Sequence, residues 1–131
     1  MEVETLKSVK HPHLVSLFGT YSHKKIFFLL LQPFATRNLD TVLHQGEITI
    51  LANNFLNWIL DCFSAVAYLH ENGIVHRDIK PENIVIDRDM RLYVTDFGLS
   101  KMSETPMDDT ATISSTETYK APCHVLPAAT R

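Results

Sequence analysis

Apolar residues recur at three- and four-residue steps between Ile50 and Glu71: Leu51, Phe55, Trp58, Ile59, Cys62, Val66 and Leu69 fall along one stripe. That period predicts an amphipathic helix, and Asn72-Gly73 supplies a left-handed stop. Upstream, Val3, Leu6 and Val9 keep helical spacing until "HPH" at residues 11–13, which reads as the end of a helix. "LVSLFGTYS" and "KKIFFLLLQPF" predict two strands joined by the polar turn "SHKK". The apolar density of the second predicts a buried central strand. "ATRNLDTVLHQGE" is a polar connection with room for one short helix. "NIVID" and "LYVTD" predict two short strands around the charged turn "RDMR". From Ser103 the chain is rich in Thr, Ser and Asp without a period, the pattern of a mobile loop.

Composition narrows this little. With 131 residues, 45% hydrophobic, the chain has the size and apolar content of one modest domain or part of a larger one. Its net charge of −3 and lack of a Lys/Arg block make nucleic acid or an anionic membrane unexpected partners. Cys62 and Cys123 form no disulfide or metal pattern, so reduced thiols in the cytoplasm or nucleus are expected. The opening "MEVETLKSVK" lacks the apolar core of a signal peptide, and the longest pure apolar run, "IFFLLL", is too short to span a bilayer.

The candidate chemistry lies in "GIVHRDIKPENIVID" (residues 73–87) and "YVTDFGLS" (residues 93–100). Asp78 and Asp96 are carboxylates beside apolar strands, and Asn83 adds a neutral oxygen. Two or three hard oxygen ligands, with places left for water and phosphate, suit Mg²⁺. Lys80 places a compact positive charge near Asp78. Metal ligands, a positive clamp and a carboxylate that orients a hydroxyl are what phosphoryl transfer needs.

"HRDIKPEN" (His76–Asn83) and "DFG" (Asp96–Gly98) resemble the catalytic loop and metal-binding motif of the eukaryotic protein kinases, and Lys80 within "DIKPEN" resembles the serine/threonine branch. The resemblance implies an α+β, kinase-like fold, truncated: the end of one helix, a small remnant sheet, two further helices, the catalytic loop, a short hairpin and an activation segment. It implies ATP and Mg²⁺ as cofactors and a protein Ser/Thr hydroxyl as acceptor. Asp78 would act as catalytic base or orient the substrate hydroxyl, Lys80 would neutralise the γ-phosphate, and Asn83 and Asp96 would hold Mg²⁺. Leu31, with Leu30 as the alternative, would stand at the gatekeeper position, Gln32 to Phe34 would form the hinge, and Val85 would lie beneath the adenine. Glu2 would be the helix glutamate that pairs with the ATP-binding lysine. Phe97 would pack with Leu6, Leu17 and His76, and Gly98 would free the backbone beside it. Arg77 would meet a phosphorylated activation loop. Thr116 would contact Asp78 and Lys80. An upstream kinase would act at Thr112, with Thr110, Ser114 and Ser115 as rivals.

The resemblance runs from Glu2 to about Pro122, giving a partial kinase domain over residues 1–122 and a divergent tail over 123–131. The family's glycine-rich loop and lysine strand would precede Met1, and Lys7, Lys10, Lys24 and Lys25 do not replace that lysine by position. Ala121-Pro122-Cys123 stands where the family reads Ala-Pro-Glu. Weak or absent activity is therefore expected of the isolated chain. A truncated or frameshifted reading, a short isoform and a decayed copy all remain open. So do two other functions: a non-catalytic binding or decoy module, and a phosphotransferase acting on small molecules.

Overall fold

The computed structural model describes residues 2–96 and 101–102, and for Glu2, Lys101 and Met102 the backbone alone. Helix α1 (Glu2–Ser8) buries Thr5 and Leu6, and Val9 is buried just beyond its end. The 11–13 connector then leads into β1 (Ser16–His23), which pairs antiparallel with β2 (Ile26–Gln32). The two-residue tip between them places both Lys24 and Lys25 at positive φ, 46° and 66°. Such turns match the strands' twist but favour Asn and Gly.

The expectation of a buried central strand at "IFFLLL" is not met. Among the described residues β2 pairs with β1 alone, and of its seven residues only Leu29 escapes the exposed class. An apolar run is buried only if something covers both its faces, and among the described residues no third strand lies beside this two-stranded ribbon.

After β2 the chain forms β3 (Arg37–Asn38), α2 (Leu39–His44) and α3 (Ile48–Glu71). Asn38 caps α2: its Oδ1 accepts from the Thr41 amide at 2.8 Å and the Thr41 hydroxyl at 2.7 Å. Glu47 precedes α3 without a side-chain cap and instead ion-pairs with Arg37. The end of α3 is set by Gly73, whose φ of 69° lets its amide reach the His70 carbonyl at 2.9 Å.

The buried line of α3 is Trp58, Ala65 and Leu69. Phe55, expected on the stripe, is half exposed, because the helix turns its Ala65 side to the sheet and a 3.6-residue period carries Phe55 off that line. By length and composition alone α3 could cross a membrane; here it packs on α2, β4 (Ile74–Val75) and β6 (Leu92–Val94). The Trp58 indole N–H reaches the Met90 carbonyl at 2.8 Å and anchors the 87–91 turn to the helix.

The two expected short strands are β5 (Ile84–Ile86) and β6, paired Ile84↔Val94, Val85↔Tyr93 and Ile86↔Leu92. β3 completes this sheet in the order β3-β5-β6. A further pair, β4 with β7 (Lys101–Met102), has no counterpart in the sequence reading. The core joins Leu6, Val9 and Leu14 to Trp58, Ala65 and Leu69 through Ile84, Ile86, Leu92 and Val94. The segment from His13 to Val15 is stitched to β6: Val94 N–H donates to the His13 carbonyl at 2.9 Å, Val15 N–H donates to the Val94 carbonyl at 3.1 Å, and His13 Nδ1 lies 3.0 Å from the Leu92 carbonyl oxygen.

Candidate active site

The 76–83 loop leaves β4 and closes with a 3₁₀ turn (Pro81–Asn83) that runs straight into β5. Pro81 suits the start of that turn because its missing N–H would find no partner there. Arg77 has a φ of 71°, a backbone a non-glycine residue rarely takes, and the reversal turns His76 and Asp78 inward. Both are buried, as is Asn83.

Asp78, Lys80 and Asn83 meet. Lys80 Nζ lies 3.2 Å from Asp78 Oδ2. The Asn83 carboxamide nitrogen donates to the same Oδ2 and to the Asp78 carbonyl, both at 2.9 Å. The buried Asp78 carboxylate is thus matched by a cation and an amide donor, as burial requires.

Asp96 is tied to this cluster through Thr95. The Thr95 amide donates to the Asn83 carbonyl at 3.0 Å, and the Thr95 carbonyl lies 2.9 Å from His76 Nε2. His76 Nδ1 in turn accepts from the Asp78 amide at 3.3 Å. With one ring nitrogen accepting, the other carries the proton, so the neutral Nε2–H tautomer satisfies both bonds. Burial pulls the His76 imidazole below its ordinary value, against opposite pulls from the Thr95 carbonyl and the carboxylates of Asp78 and Asp96. Asp96 itself is exposed, with a φ of 65°.

Leu31 and Gln32 end β2, and both are exposed; Phe34, two residues on, is 76% exposed. Val85 sits half-buried at the centre of β5. The two groups are joined through Thr36, whose amide donates to the Ile86 carbonyl at 2.9 Å, and through the β3–β5 pairing of Asn38 with Val85. Arg77 is half-buried. Glu2 opens α1, but its carboxylate lies outside the described side chains. Phe97, Gly98, Thr110, Thr112, Ser114, Ser115, Thr116 and the 121–123 segment lie outside the described residues. The other expected members of the Phe97 stack are inward-facing: Leu6 and His76 are buried and Leu17 half-buried.

Sequence reasoning missed Thr95. It acts through its peptide groups, so no side-chain chemistry announces it. It also missed the connector cluster, where His13 Nε2 lies 3.3 Å from Asp61 Oδ1 and His11 Nε2 lies 3.1 Å from Ser64 Oγ.

The family model described as "protein kinase domain" matches residues 1–130. The chain belongs to the protein kinase family. This kinase chain is 35% identical over 126 residues to calcium/calmodulin-dependent protein kinase type 1 of Caenorhabditis elegans, covering 92% of itself and 35% of that protein. It is 36% identical over 122 residues to the human cAMP-dependent protein kinase catalytic subunit PRKX, covering 92% of itself and 33% of that protein. It therefore spans about a third of the length of the curated relatives it matches. Its fold is similar to a chain in the crystal structure of the yeast RNA Pol II CTD kinase CTDK-1 complex, with a TM-score of 0.72 at 28% identity over 79% of this chain and 34% of that one. The α+β kinase-like architecture expected from the motifs is thus the observed one, as part of a kinase domain.

Proposed function

We propose that the chain carries the catalytic centre of a serine/threonine protein kinase, which transfers the γ-phosphate of ATP to a protein hydroxyl with Mg²⁺. The observation that carries this reading is the convergence of Asp78, Lys80 and Asn83 on one carboxylate oxygen, with Asp96 tethered to them through Thr95. Asp78 orients the acceptor hydroxyl and takes its proton. Lys80, 3.2 Å from Asp78, meets the negative charge of the transferring phosphate.

The donor set fits a hard cation. The Asn83 carboxamide nitrogen is committed to Asp78, which leaves its oxygen as the atom to face a metal. Asp96 offers an exposed carboxylate nearby in the chain path. Mg²⁺ keeps several waters and needs only one or two carboxylates. When bound, the ion supplies charge neutralisation across the phosphates. Leu31, Gln32 and Phe34 would face the adenine edge, and Val85 its flat side. Glu2 and Thr116 would complete the set, with Thr112 or a neighbouring Ser/Thr as the target of an activating kinase.

Turnover by the isolated chain is expected to be slow, because Leu31 and Phe34 stand open to water where a nucleotide would need enclosure. The same exposure favours a second reading, a non-catalytic kinase-like binding module. The test is ADP release and peptide phosphorylation with Mg-ATP and a mixed Ser/Thr peptide pool, beside nucleotide binding followed by NMR. Slow turnover that Asp78→Asn lowers by at least about 10²-fold supports transfer. Turnover indifferent to Asp78→Asn overturns it. Absent turnover together with no Mg²⁺-dependent nucleotide binding supports the binding module.

A further inference from the structure

The two histidines of the 11–13 connector face neighbours that ask opposite things of them. His11 Nδ1 accepts from the His13 amide at 3.1 Å, so that nitrogen carries no proton. Its Nε2 then holds the ring's one proton and donates to Ser64 Oγ on α3 at 3.1 Å. His11 therefore fits its surroundings as a neutral ring. His13 does not. Its Nδ1 lies 3.0 Å from the Leu92 carbonyl oxygen, which can only accept, so Nδ1 carries a proton. Its Nε2 lies 3.3 Å from Asp61 Oδ1 on α3. A bare Nε2 there would set its lone pair against a carboxylate oxygen, whereas a second proton makes the contact an ion pair.

We propose that protonated His13 is a clasp that ties the connector to α3 and β6 together, and that it holds only in the pH window where His13 is charged and His11 is neutral. The groups that face the pair support this division. From α3 come Asp61 and, facing His11 at 5.1 Å between ring centres, Tyr68, whose hydroxyl accepts from the Lys10 amide at 3.1 Å. Cys62, next to Asp61, has its thiol pushed up by burial and then by the Asp61 charge. From β6 comes Tyr93, 6.3 Å from the His13 ring, with its hydroxyl donating to Asp87 at 2.9 Å. The two imidazole rings lie 5.8 Å apart. Burial, and then the charge of His13, hold His11 below its ordinary value.

Both edges of the window follow from the bonds. As the pH rises, His13 gives up its Nε2 proton and the pair with Asp61 is lost. As the pH falls, His11 takes a proton on Nδ1, which can then no longer accept from the His13 amide, and two like charges stand side by side. Either change loosens the connector. What it braces is β6: the His13 carbonyl accepts from the Val94 amide, and the Val94 carbonyl from the Val15 amide. Thr95 and Asp96 follow directly in the chain, so the clasp sits at the root of the segment that reaches the candidate site.

The test follows the ring nitrogens of the full 131-residue chain, labelled with ¹⁵N-histidine, by NMR from about pH 4.5 to about pH 8.5. His11→Asn and His13→Asn assign the two rings. On raising the pH, His11 is expected to lose its proton first, from Nδ1, and His13 afterwards, from Nε2. Asp61→Asn is expected to move the His13 transition down by about 0.5 pH unit or more. Amide exchange gives a second readout. Protection of Val15 and Val94, corrected for intrinsic rates, is expected to fall by about two- to fivefold as His13 deprotonates. In His13→Asn, which keeps an amide donor but cannot titrate, that fall is expected to vanish. Each variant is first checked for native circular dichroism, and the titration of the unchanged chain decides even where a variant fails to fold. A neutral His13 bearing its proton on Nε2, or His11 holding its second proton to the higher pH, overturns the proposal. So does a His13 transition indifferent to Asp61→Asn, or a fall in protection that persists in His13→Asn.

Discussion

The Asn83 carboxamide nitrogen bonds two acceptors of one residue, the main-chain carbonyl and the Oδ2 of Asp78, at 2.9 Å each. Asn83 therefore shapes the 76–83 loop through its side chain alone. Asn83→Ala is expected to cost about 1.5–3 kcal/mol of folding stability without nucleotide, because a buried carboxylate loses a hydrogen-bond donor. Asn83→Asp is expected to cost more, since it sets a second carboxylate against the first. Urea unfolding in metal-free buffer measures both.

Lys80 shares Asp78 Oδ2 with Asn83 but is only half-buried. Lys80→Met keeps the aliphatic stem and removes the charge. The fold is expected to lose about 1–3 kcal/mol, because Asp78 stays buried while it loses its cation, while peptide phosphorylation falls by at least about tenfold. The two readouts together separate a loss of clamp from a loss of structure.

Trp58 is the chain's one tryptophan, and it is buried with its indole N–H on the Met90 carbonyl. Trp58→Phe leaves that carbonyl short of a donor and a small gap behind it. A loss of about 1–3 kcal/mol is expected. Thermal unfolding followed by far-UV circular dichroism checks it.

The hairpin tip is strained in a way that can be relieved. Lys24 and Lys25 both take positive φ, which costs an L-residue roughly 1–2 kcal/mol at each position. Replacing the pair with Asn-Gly is expected to raise the urea midpoint, with a gain of about 1 kcal/mol or more. An unchanged midpoint would show that the hairpin opens separately from the core.

His11 and His76 both lie below the ordinary histidine value, each chiefly through burial, and His11 also through the neighbouring His13. A depressed folded value means that the unfolded chain takes up protons first as the pH falls. The stability they contribute is complete above the unfolded value near pH 6.5 and is lost progressively below it. For buried His76 the slope should reach at most about 1.4 kcal/mol per pH unit. Urea unfolding at pH 7.5, 6.5 and 5.5 is expected to show the decline, and His76→Gln to flatten it.

The parts of the molecule legible in its sequence were those fixed by local period and motif. The 3.6-residue stripe locates α3 within two residues of its start, and the apolar pieces on either side of the charged turn "RDMR" locate β5 and β6. Asp78, Lys80 and Asn83 were recognisable as a group because they lie within six residues of one another and the chain has only to turn once to gather them. What depended on distant coverage was not legible. "IFFLLL" carries the composition of a central strand, but composition says nothing of whether neighbours exist, and β2 lies open. A wide apolar stripe tolerates several rotations and so takes in Phe55, while Ala65, which with Leu69 is fully buried and fixes the rotation, is too small to stand out. The roles of Thr95 and the connector histidines rest on backbone and cross-chain bonds that no residue pattern displays.

Thr95 carries a last consequence. Its peptide groups are clasped on both sides, by His76 at the carbonyl and by Asn83 at the amide, and Asp96 follows at once with a φ of 65°. The chain is thus clamped immediately before the residue at which its direction reverses. His76, Thr95, Asn83 and Asp78 therefore form one hydrogen-bonded frame that fixes the peptide from which Asp96 departs.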